Sequence, residues 1–209
     1  GYKVIIAGPA AIADYIKAAY SDGGLREFDA KFMAPVYEHA FEVEHVAIEN
    51  APETFETTSP IGRHLDGCRI GFDLGASDFK ISALNKGEVV FSEEFPWDPR
   101  NNSDPEYHYQ KLTEGLKAAA NALPRVDAIG GSTAGVLVGQ KMGLASLFRA
   151  VKEKNPSQFE TAQNMFYRIE KDWGVPFAVY NDGDVTALAG AMELNDGCVL
   201  GIAMGTSEA

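Results

Sequence analysis

Apolar and polar positions show their clearest pattern from Arg69 onward. The segments RIGFDLG, FKISALNK and EVVFSEEF are each bounded by turn residues, so they predict three successive strands. The sequence NKGE between the second and third of these indicates a tight, glycine-bearing hairpin turn. In EYHYQKLTEGLKAAANAL, apolar side chains recur at helical spacing along one face, which predicts a helix after the strands.

The rest of this region alternates between strands and helices. VDAIGGSTAGVLVG predicts a strand that breaks into a glycine-rich turn, and a helix with an apolar face follows and stops at Gly174. VPFAVY reads as a buried strand, DVTALAGAMEL as a helix and CVLGIAMG as another strand. The opening order βββαβαβ, with near-continuously apolar later strands, predicts an α/β fold. We expect a mixed sheet with helices on both faces.

Residues 1–67 have a different texture. KVIIAG predicts a strand, AAIADYIKAAY a helix and HAFEVEHVAIE a further strand, so this segment is a small α/β extension of uncertain fold. The stretch after it mixes Pro, Gly, Thr and acidic residues as a linker does. We therefore predict two domains, residues 1–67 and residues 68–209.

The composition narrows the range of functions. Thirty acidic and eighteen basic side chains give a formal charge of -12, which disfavours binding to nucleic acid or to an anionic membrane surface. The two cysteines lie far apart, without the spacing of a zinc site or a disulfide framework. The sequence contains no apolar run long enough to span a membrane and no signal-peptide pattern at its start. These features predict a cytoplasmic protein.

The first candidate site is Asp73-Leu-Gly75-Ala-Ser77, where one predicted strand turns into the next. A carboxylate within an apolar run is costly to bury unless it is paired or awaits a ligand. Glycine lets a phosphate approach backbone N–H groups, and Asp73 would suit a hydrated Mg²⁺ ion. A hairpin with an Asx-type turn explains the same residues without a ligand, so both interpretations stay open.

A second polar cluster follows the strand VPFAV. Asn181, Asp182 and Asp184 come at the carboxyl edge of the predicted sheet, where open α/β folds bind ligands. We expect Asp184 to cap the helix that begins near it, which leaves Asp182 free to accept a proton from a substrate hydroxyl. The last predicted strand also ends in a turn that suits an anion, although a generic strand end explains it equally well. That turn consists of Gly205, Thr206 and Ser207.

These motifs occur in the order seen in the actin-like ATPase and sugar-kinase superfamily, and the chain most resembles the ROK family of sugar kinases and sugar-sensing regulators. The resemblance rests on Asp73-x-Gly75-x-Ser77-x-x-Lys80, on GGSTAG in place of the family's GxxxPG-like turn, and on VPFAVYNDGDVTALAGA and GIAMGTS. It covers about residue 69 to the end and does not reach residues 1–67. It implies a ribonuclease H-like (actin-like ATPase) fold, in which residues 68–209 correspond to the N-terminal lobe.

The resemblance also implies an activity, the ATP-dependent phosphorylation of a sugar hydroxyl in the manner of a glucokinase. Asp182 would be the general base, and Asp73 would hold Mg²⁺ through water. The residues implied to bind the phosphates of ATP are Asp73, Gly75, Ser77, Lys80, Gly205, Thr206 and Ser207. The residues implied to bind the sugar are Ser132, Thr133, Gly135, Asn181 and Asp182.

Several positions depart from the family pattern. Ala76 and Ser77 replace the usual Gly-Thr, and Asp78 adds a negative charge where a phosphate would approach. Tyr180 stands where a glutamate is common, and Asp184 replaces an asparagine. The chain also stops within the implied second phosphate loop, so we expect the lobe with the adenosine pocket to be missing and this polypeptide alone to be inactive.

Two other functions remain open at the level of sequence. One is a noncatalytic ROK-like sugar sensor, and the other is an actin-like ATPase or activator module that needs no sugar. The sequence does not specify which sugar is bound or which hydroxyl is phosphorylated. It also leaves the oligomeric state open, and a homo-oligomer is compatible with it.

Overall fold

The structure is a computed structural model that describes residues 1–55, 62 and 64–202. The chain divides into two compact units, residues 1–60 and residues 61–209. The sequence analysis put the domain boundary between residues 67 and 68, a few residues after this division. A strand starts at Cys68. No helix in the described ranges combines the length and the apolar character needed to cross a bilayer.

The described part of the first unit, residues 1–55, has a two-stranded parallel sheet and two α-helices. Its elements are β1 (Lys3–Ala7), α1 (Ala10–Tyr20), α2 (Glu27–Tyr37) and β2 (Glu42–Val46). The strands pair in parallel over their whole length, from Lys3 opposite Glu42 to Ala7 opposite Val46. The sequence pattern predicted both strands and α1 but not α2.

The second unit is the larger. Its strands are β3 (Cys68–Leu74), β4 (Asp78–Asn85), β5 (Glu88–Pro96), β6 (Ala128–Thr133), β7 (Val136–Val138), β8 (Lys141–Leu144) and β9 (Phe177–Asn181). Its helices are α3 (Tyr107–Ala120), α4 (Arg149–Lys154), α5 (Phe159–Gln163), α6 (Met165–Trp173) and α7 (Asp182–Leu194).

Five of these strands form one mixed sheet in the order β5-β4-β3-β6-β9. The first three pair antiparallel, whereas β3, β6 and β9 run parallel to one another. The prediction of an α/β fold with a mixed sheet is therefore confirmed. The short strands β7 and β8 form a separate antiparallel hairpin.

The core lies on one face of the sheet because apolar residues alternate along its strands. In β3, the side chains of Ile70, Phe72 and Leu74 are buried, while the intervening Gly71 and Asp73 lie on the opposite face. Helices α3 and α6 cover the apolar face with further buried side chains, among them Leu112, Leu116, Phe166 and Ile169.

Polar side chains join α3 and α6 at the surface. The guanidinium of Arg168 donates to the carboxylate of Glu106 over 2.5 and 2.7 Å, and it lies 3.6 Å from the centroid of the Tyr109 ring. The hydroxyl of Tyr109 donates to Asp172 over 2.5 Å. This bond to the carboxylate is the main cause that raises the pKa of Tyr109.

His108 lies inside the core, fully buried. Its Nε2 lies 3.0 Å from the carbonyl oxygen of Pro99 and 2.9 Å from that of Leu147, so Nε2 carries the proton and donates to both. Its Nδ1 has no partner among the described residues. Burial lowers the pKa of His108, although the two carbonyl groups act in the opposite direction.

The structure differs from the predicted elements at several places in this unit. The single helix predicted to stop at Gly174 is divided into α5 and α6, and α4 precedes them without having been predicted. The hairpin β7–β8 follows β6 directly, where only a turn was expected. Helix α7 begins at Asp182, not near Asp184. Residues 198–202, the described part of the last predicted strand, adopt no regular secondary structure, and residues 203–209 lie outside the described ranges.

Candidate functional site

The carboxyl ends of β3, β6 and β9 meet at one edge of the sheet, because these strands are parallel neighbours. In backbone register, Asp73 lies opposite Ser132, and Ser132 lies opposite Tyr180. One residue further along, Leu74 pairs with Thr133 and Thr133 with Asn181. The motifs that the sequence analysis singled out on these three strands therefore share one edge.

Asp73 is held by the neighbouring strand. The hydroxyl of Ser132 donates to Oδ1 of Asp73 over 2.5 Å, and Ser132 itself is buried. Within the described residues, Oδ2 of Asp73 has no hydrogen-bond partner. Asp73 thus keeps one oxygen for a ligand while the other is fixed in place.

The hairpin between β3 and β4 is built around a close backbone contact. A Cβ atom on Gly75 would lie 2.8 Å from the carbonyl oxygen of Asp78, so the turn itself requires glycine. Trp97, only 6% exposed, donates from its indole nitrogen to the carbonyl oxygen of Gly75 over 3.0 Å. Its backbone N–H donates to the carbonyl oxygen of Ser77 over 3.2 Å. Trp97 fixes this hairpin, a role that the sequence analysis did not assign to it.

The side chains after this turn interact with one another. The hydroxyl of Ser77 donates to Oδ2 of Asp78 over 3.0 Å. The ammonium of Lys80 lies 3.5 Å from the other oxygen of Asp78 and 4.0 Å from the carboxylate of Glu94. Lys80 is opposite Asp73 in register, but its charge is shared between the other two carboxylates. The negative charge of Asp78 is thus only partly offset by Lys80.

Asn181 joins two parts of the site. Its Oδ1 accepts a hydrogen bond from the N–H of Gly183 over 2.8 Å, so Asn181, and not Asp184 as expected, is the cap of α7. Its Nδ2 donates to the carbonyl oxygen of Gly135 over 2.9 Å. Gly135 has φ +111°, and a Cβ atom there would lie 2.3 Å from the carbonyl oxygen of Leu144. Asn181 therefore ties the β6–β7 turn to the start of α7.

Asp182 is the first residue of α7 and is half-buried. Its Oδ1 also accepts from the N–H of Gly183, over 3.1 Å, and the described residues offer no partner to its Oδ2. The positive end of the helix dipole favours a negatively charged group at this position. Asp184 is exposed on the same turn.

The other residues that the resemblance assigned to a ligand are less accessible or outside the description. Thr133 is fully buried, and its hydroxyl donates weakly to the neighbouring carbonyl of Ala134 over 3.4 Å. The structure does not describe the turn predicted to bind a second phosphate, which consists of Gly205, Thr206 and Ser207.

An open groove of about 740 Å³ lies beside the end of β9. Gly135, Asn181 and Asp184 line it together with two partly exposed tyrosines, Tyr167 and Tyr180. Aromatic faces beside amide and carboxylate groups provide both apolar and hydrogen-bonding contacts for a small polar ligand.

Gln140, on the β7–β8 hairpin, supports the wall of this groove. Its side-chain amide donates to the carbonyl oxygen of Phe177 over 3.1 Å and accepts from the N–H of Val179 over 3.2 Å. The amide thereby satisfies backbone groups of β9, the edge strand of the sheet. Sequence reasoning missed this residue, because nothing near Gln140 in the sequence indicates a bond to a strand almost forty residues later.

Metal binding at this edge would depend on few protein ligands. Among the described residues there is no group of three or more His, Cys, Asp or Glu side chains placed to hold a metal ion. Mg²⁺ commonly keeps several waters and binds through one or two carboxylates. A single carboxylate with one oxygen available, as Asp73 has, fits that form of binding.

Comparisons with known proteins find similarity at the level of structure. No family model matches the sequence, and no curated protein matches it. Similar solved structures include a ROK hexokinase from Thermus thermophilus, with 19% identity and a TM-score of 0.45 over 62% of this chain and 38% of the other. An inorganic polyphosphate/ATP-glucomannokinase from Arthrobacter has 20% identity and a TM-score of 0.48 over 69% and 57%.

A ROK family transcriptional regulator is also similar, with 21% identity and a TM-score of 0.45 over 61% of this chain and 31% of the other. This chain therefore spans between about a third and somewhat over half of the length of these three proteins. The matches comprise both kinases and a regulator.

Proposed function

We propose that residues 61–209 form the sugar-binding and phosphate-binding half of an ATP-dependent sugar kinase of the ROK type, with an actin-like ATPase fold. The observation that carries this proposal is the position of two carboxylates, Asp73 and Asp182, at one edge of the sheet. Asp73 lies at the end of β3 and Asp182 directly follows β9, and these two strands are separated only by β6. Asp182 lies two strand spacings across from Asp73 and two residues beyond its register position, so their backbones are roughly 12 Å apart, a span that suits a phosphate on one side and an alcohol on the other.

Asp182 is the proposed general base. Its Oδ2 is available to accept a hydrogen bond from a sugar hydroxyl, and it would take the proton as the hydroxyl oxygen attacks a phosphoryl group. Asn181 contributes by position, because both ends of its amide hold the backbone around the base. The proposed site of the sugar ring is the neighbouring groove, which is lined by Asn181, the residue before Asp182, and by the two tyrosines.

Asp73 is the proposed anchor for a hydrated Mg²⁺ ion, which neutralises phosphate charge when it is bound. Ser132 keeps Asp73 in position through its short hydrogen bond. The Gly75 turn follows it directly in the chain, and Trp97 is hydrogen-bonded to that turn. A kinase that uses ATP in this way would act in the cytoplasm.

The test is calorimetric titration of the chain with a panel of hexoses and, separately, with ATP in the presence of Mg²⁺. We expect Asp182→Ala to weaken hexose binding at least tenfold, since a hydrogen bond to a charged group contributes about 1.5–3 kcal/mol. Asp73→Asn is expected to abolish the part of ATP binding that depends on Mg²⁺. Glu193→Gln, at the exposed far end of α7, is the control and should change neither.

The absence of any hexose binding, or hexose binding unaffected by Asp182→Ala, would refute the sugar-kinase proposal. A second candidate, a noncatalytic sugar sensor, is favoured by one observation: Ser77 and Lys80 are engaged with Asp78, not open toward an incoming anion. A sensor would bind a hexose at the same groove and show no affinity for ATP with Mg²⁺. Binding of ATP with Mg²⁺ that is lost in Asp73→Asn would therefore favour the kinase over the sensor.

A further inference from the structure

The first unit, residues 1–60, contains a cavity that the proposed kinase function does not use. The cavity has a volume of about 310 Å³ and lies between α2 and the amino ends of β1 and β2. A volume of this size is at the lower end of the range for small-molecule sites. It is large enough for a ligand of one or two fused rings.

Two stacked ring pairs line this cavity. The rings of Tyr2 and His39 have centroids 4.4 Å apart at an interplanar angle of 18°, and those of Tyr20 and Phe41 are 4.2 Å apart at 27°. The N–H of Glu42 donates to the carbonyl oxygen of Tyr2 over 2.8 Å, which holds the two strand starts side by side. The cavity is thus walled by aromatic faces on a hydrogen-bonded frame.

A charged pair provides the polar part of the lining. Nε of Arg26 donates to Oδ2 of Asp29 over 2.6 Å, and both residues face the cavity. Within the described residues, neither the terminal nitrogens of Arg26 nor Oδ1 of Asp29 has another hydrogen-bond partner. The pair therefore offers a donor and an acceptor next to each other.

The charge of this unit limits the ligand further. Residues 1–55 carry nine acidic and four basic side chains, so an anionic ligand would be repelled. A bare cation is disfavoured as well, because Arg26 already lies 5.9 Å from the centroid of the Tyr20 ring. An uncharged ligand remains.

We infer that this cavity binds an uncharged planar heterocycle that carries a carbonyl acceptor and an N–H donor next to each other on one edge. The ring would stack on the aromatic walls, its carbonyl would accept from Arg26, and its N–H would donate to Asp29. Purine and pyrimidine lactams, pterins and similar compounds belong to this class. All the residues that line this cavity belong to the first unit.

Saturation-transfer NMR and calorimetry with hypoxanthine test the inference, because hypoxanthine has the required edge and no charge at neutral pH. We expect binding in the micromolar to low millimolar range. The affinity should fall at least about tenfold in Tyr2→Ala, since base–aromatic stacking is commonly worth that much. Tyr15→Ala, which removes an exposed tyrosine on α1 outside the cavity, is the matched control and should leave the affinity unchanged.

Two further measurements keep the inference open to refutation if Tyr2→Ala affects folding. Asp29→Asn preserves the packing but changes the acceptor, so it should weaken hypoxanthine binding at least fivefold. 1-Methylhypoxanthine, which lacks the N–H donor, should bind the unaltered chain correspondingly less well. Two outcomes would overturn the inference. One is the absence of hypoxanthine binding at 5 mM. The other is equal binding of hypoxanthine and 1-methylhypoxanthine by the unaltered chain, together with normal hypoxanthine binding by Asp29→Asn.

Discussion

Replacing Asn181 by alanine removes two hydrogen bonds that hold the proposed base in position. One is the cap of α7, from the N–H of Gly183, and the other runs to the carbonyl oxygen of Gly135. Loss of an N-cap side chain typically costs about 1 kcal/mol, and loss of a neutral hydrogen bond costs about as much. Since Oδ1 of Asp182 also accepts from the N–H of Gly183, we expect Asn181→Ala to lower the free energy of unfolding by up to about 2 kcal/mol.

Two further substitutions separate the contributions. Asn181→Asp retains a good cap acceptor at a helix N-terminus, but a carboxylate cannot donate to Gly135. Asn181→Ser also retains the cap, and its side chain is too short to reach the turn. Each of these variants should lose only the bond to Gly135, about 1 kcal/mol, and should lie midway between the original chain and Asn181→Ala.

Urea unfolding followed by tryptophan fluorescence suits this measurement, because both tryptophans, Trp97 and Trp173, lie in the second unit. The slope of the transition should stay constant, so that shifts of the midpoint report stability alone. Asn121→Ala, at an exposed asparagine whose side chain makes no hydrogen bond to the described residues, is the control and should stay within about 0.5 kcal/mol. A change below about 0.5 kcal/mol in Asn181→Ala would refute the reasoning, and equal losses in all three variants would show that the cap contributes nothing.

Three other predictions can be checked by the same unfolding assay. Gly135→Ala should lower the free energy of unfolding by at least about 2 kcal/mol, because it combines a positive φ with a backbone clash. Gly174 has φ +62° and open space around it, so Gly174→Ala should lower the free energy of unfolding by only about 1 kcal/mol. The pKa of His108 is lowered in the folded protein. The stability that neutral His108 confers is therefore complete above the unfolded pKa of about 6.5 and is lost as the pH falls toward the folded pKa. His108→Gln should make stability less dependent on pH in this range. Arg168→Ala should lower the free energy of unfolding by about 0.5–1 kcal/mol, and by less at high salt, because the ion pair of Arg168 with Glu106 is partly exposed. Arg149→Ala should change the free energy of unfolding very little, because its ion pair with Glu153 spans 3.9 Å at the surface. A flat response to Gly135→Ala, an unchanged pH profile in His108→Gln or a salt-independent loss in Arg168→Ala would contradict the respective argument.

Local patterns were sufficient to predict the elements whose stability is local or whose burial repeats regularly. The hairpin between β4 and β5 was predicted from NKGE, and the structure places Lys86 and Gly87 at φ 53° and 85°, as a tight turn of this kind requires. The alternation in β3 and β4 was equally informative, because each strand buries every second side chain. In both cases the sequence contains the whole physical cause.

Elements that depend on distant contacts could not be predicted in this way. Helix α2 contains Pro35 in its last turn and exposes much of its apolar surface, so its sequence lacks the usual signature of an amphipathic helix. The strands β7 and β8 have only three and four residues. Their position depends on Gln140, whose amide bonds to the backbone of β9. None of these causes is visible within a short window of sequence.

The same distinction between local and distant causes applies to the residues of the candidate site. That Asp73 and Asp182 reach one edge follows from two parallel strands and could be inferred from the sequence. Which of their oxygens are already used could not be inferred. The bond from Ser132 to Asp73 depends on the register between β3 and β6, which joins residues 59 positions apart. The predicted helix cap was wrong for a related reason, because the start of α7 is fixed by the bond between Asn181 and Gly183.

The hydrogen bonds at this edge limit what a ligand can contact. Ser132, Asn181 and Ser77 are all engaged within the protein, whereas Asp73 and Asp182 each retain one oxygen without a partner among the described residues. A carboxylate accepts hydrogen bonds from hydroxyl groups but repels an anion unless a cation lies between them. A neutral sugar should therefore bind this edge without metal, while a nucleotide should bind it only with Mg²⁺. Nucleotide binding of equal strength in the presence of EDTA would mean that the phosphate groups are held elsewhere.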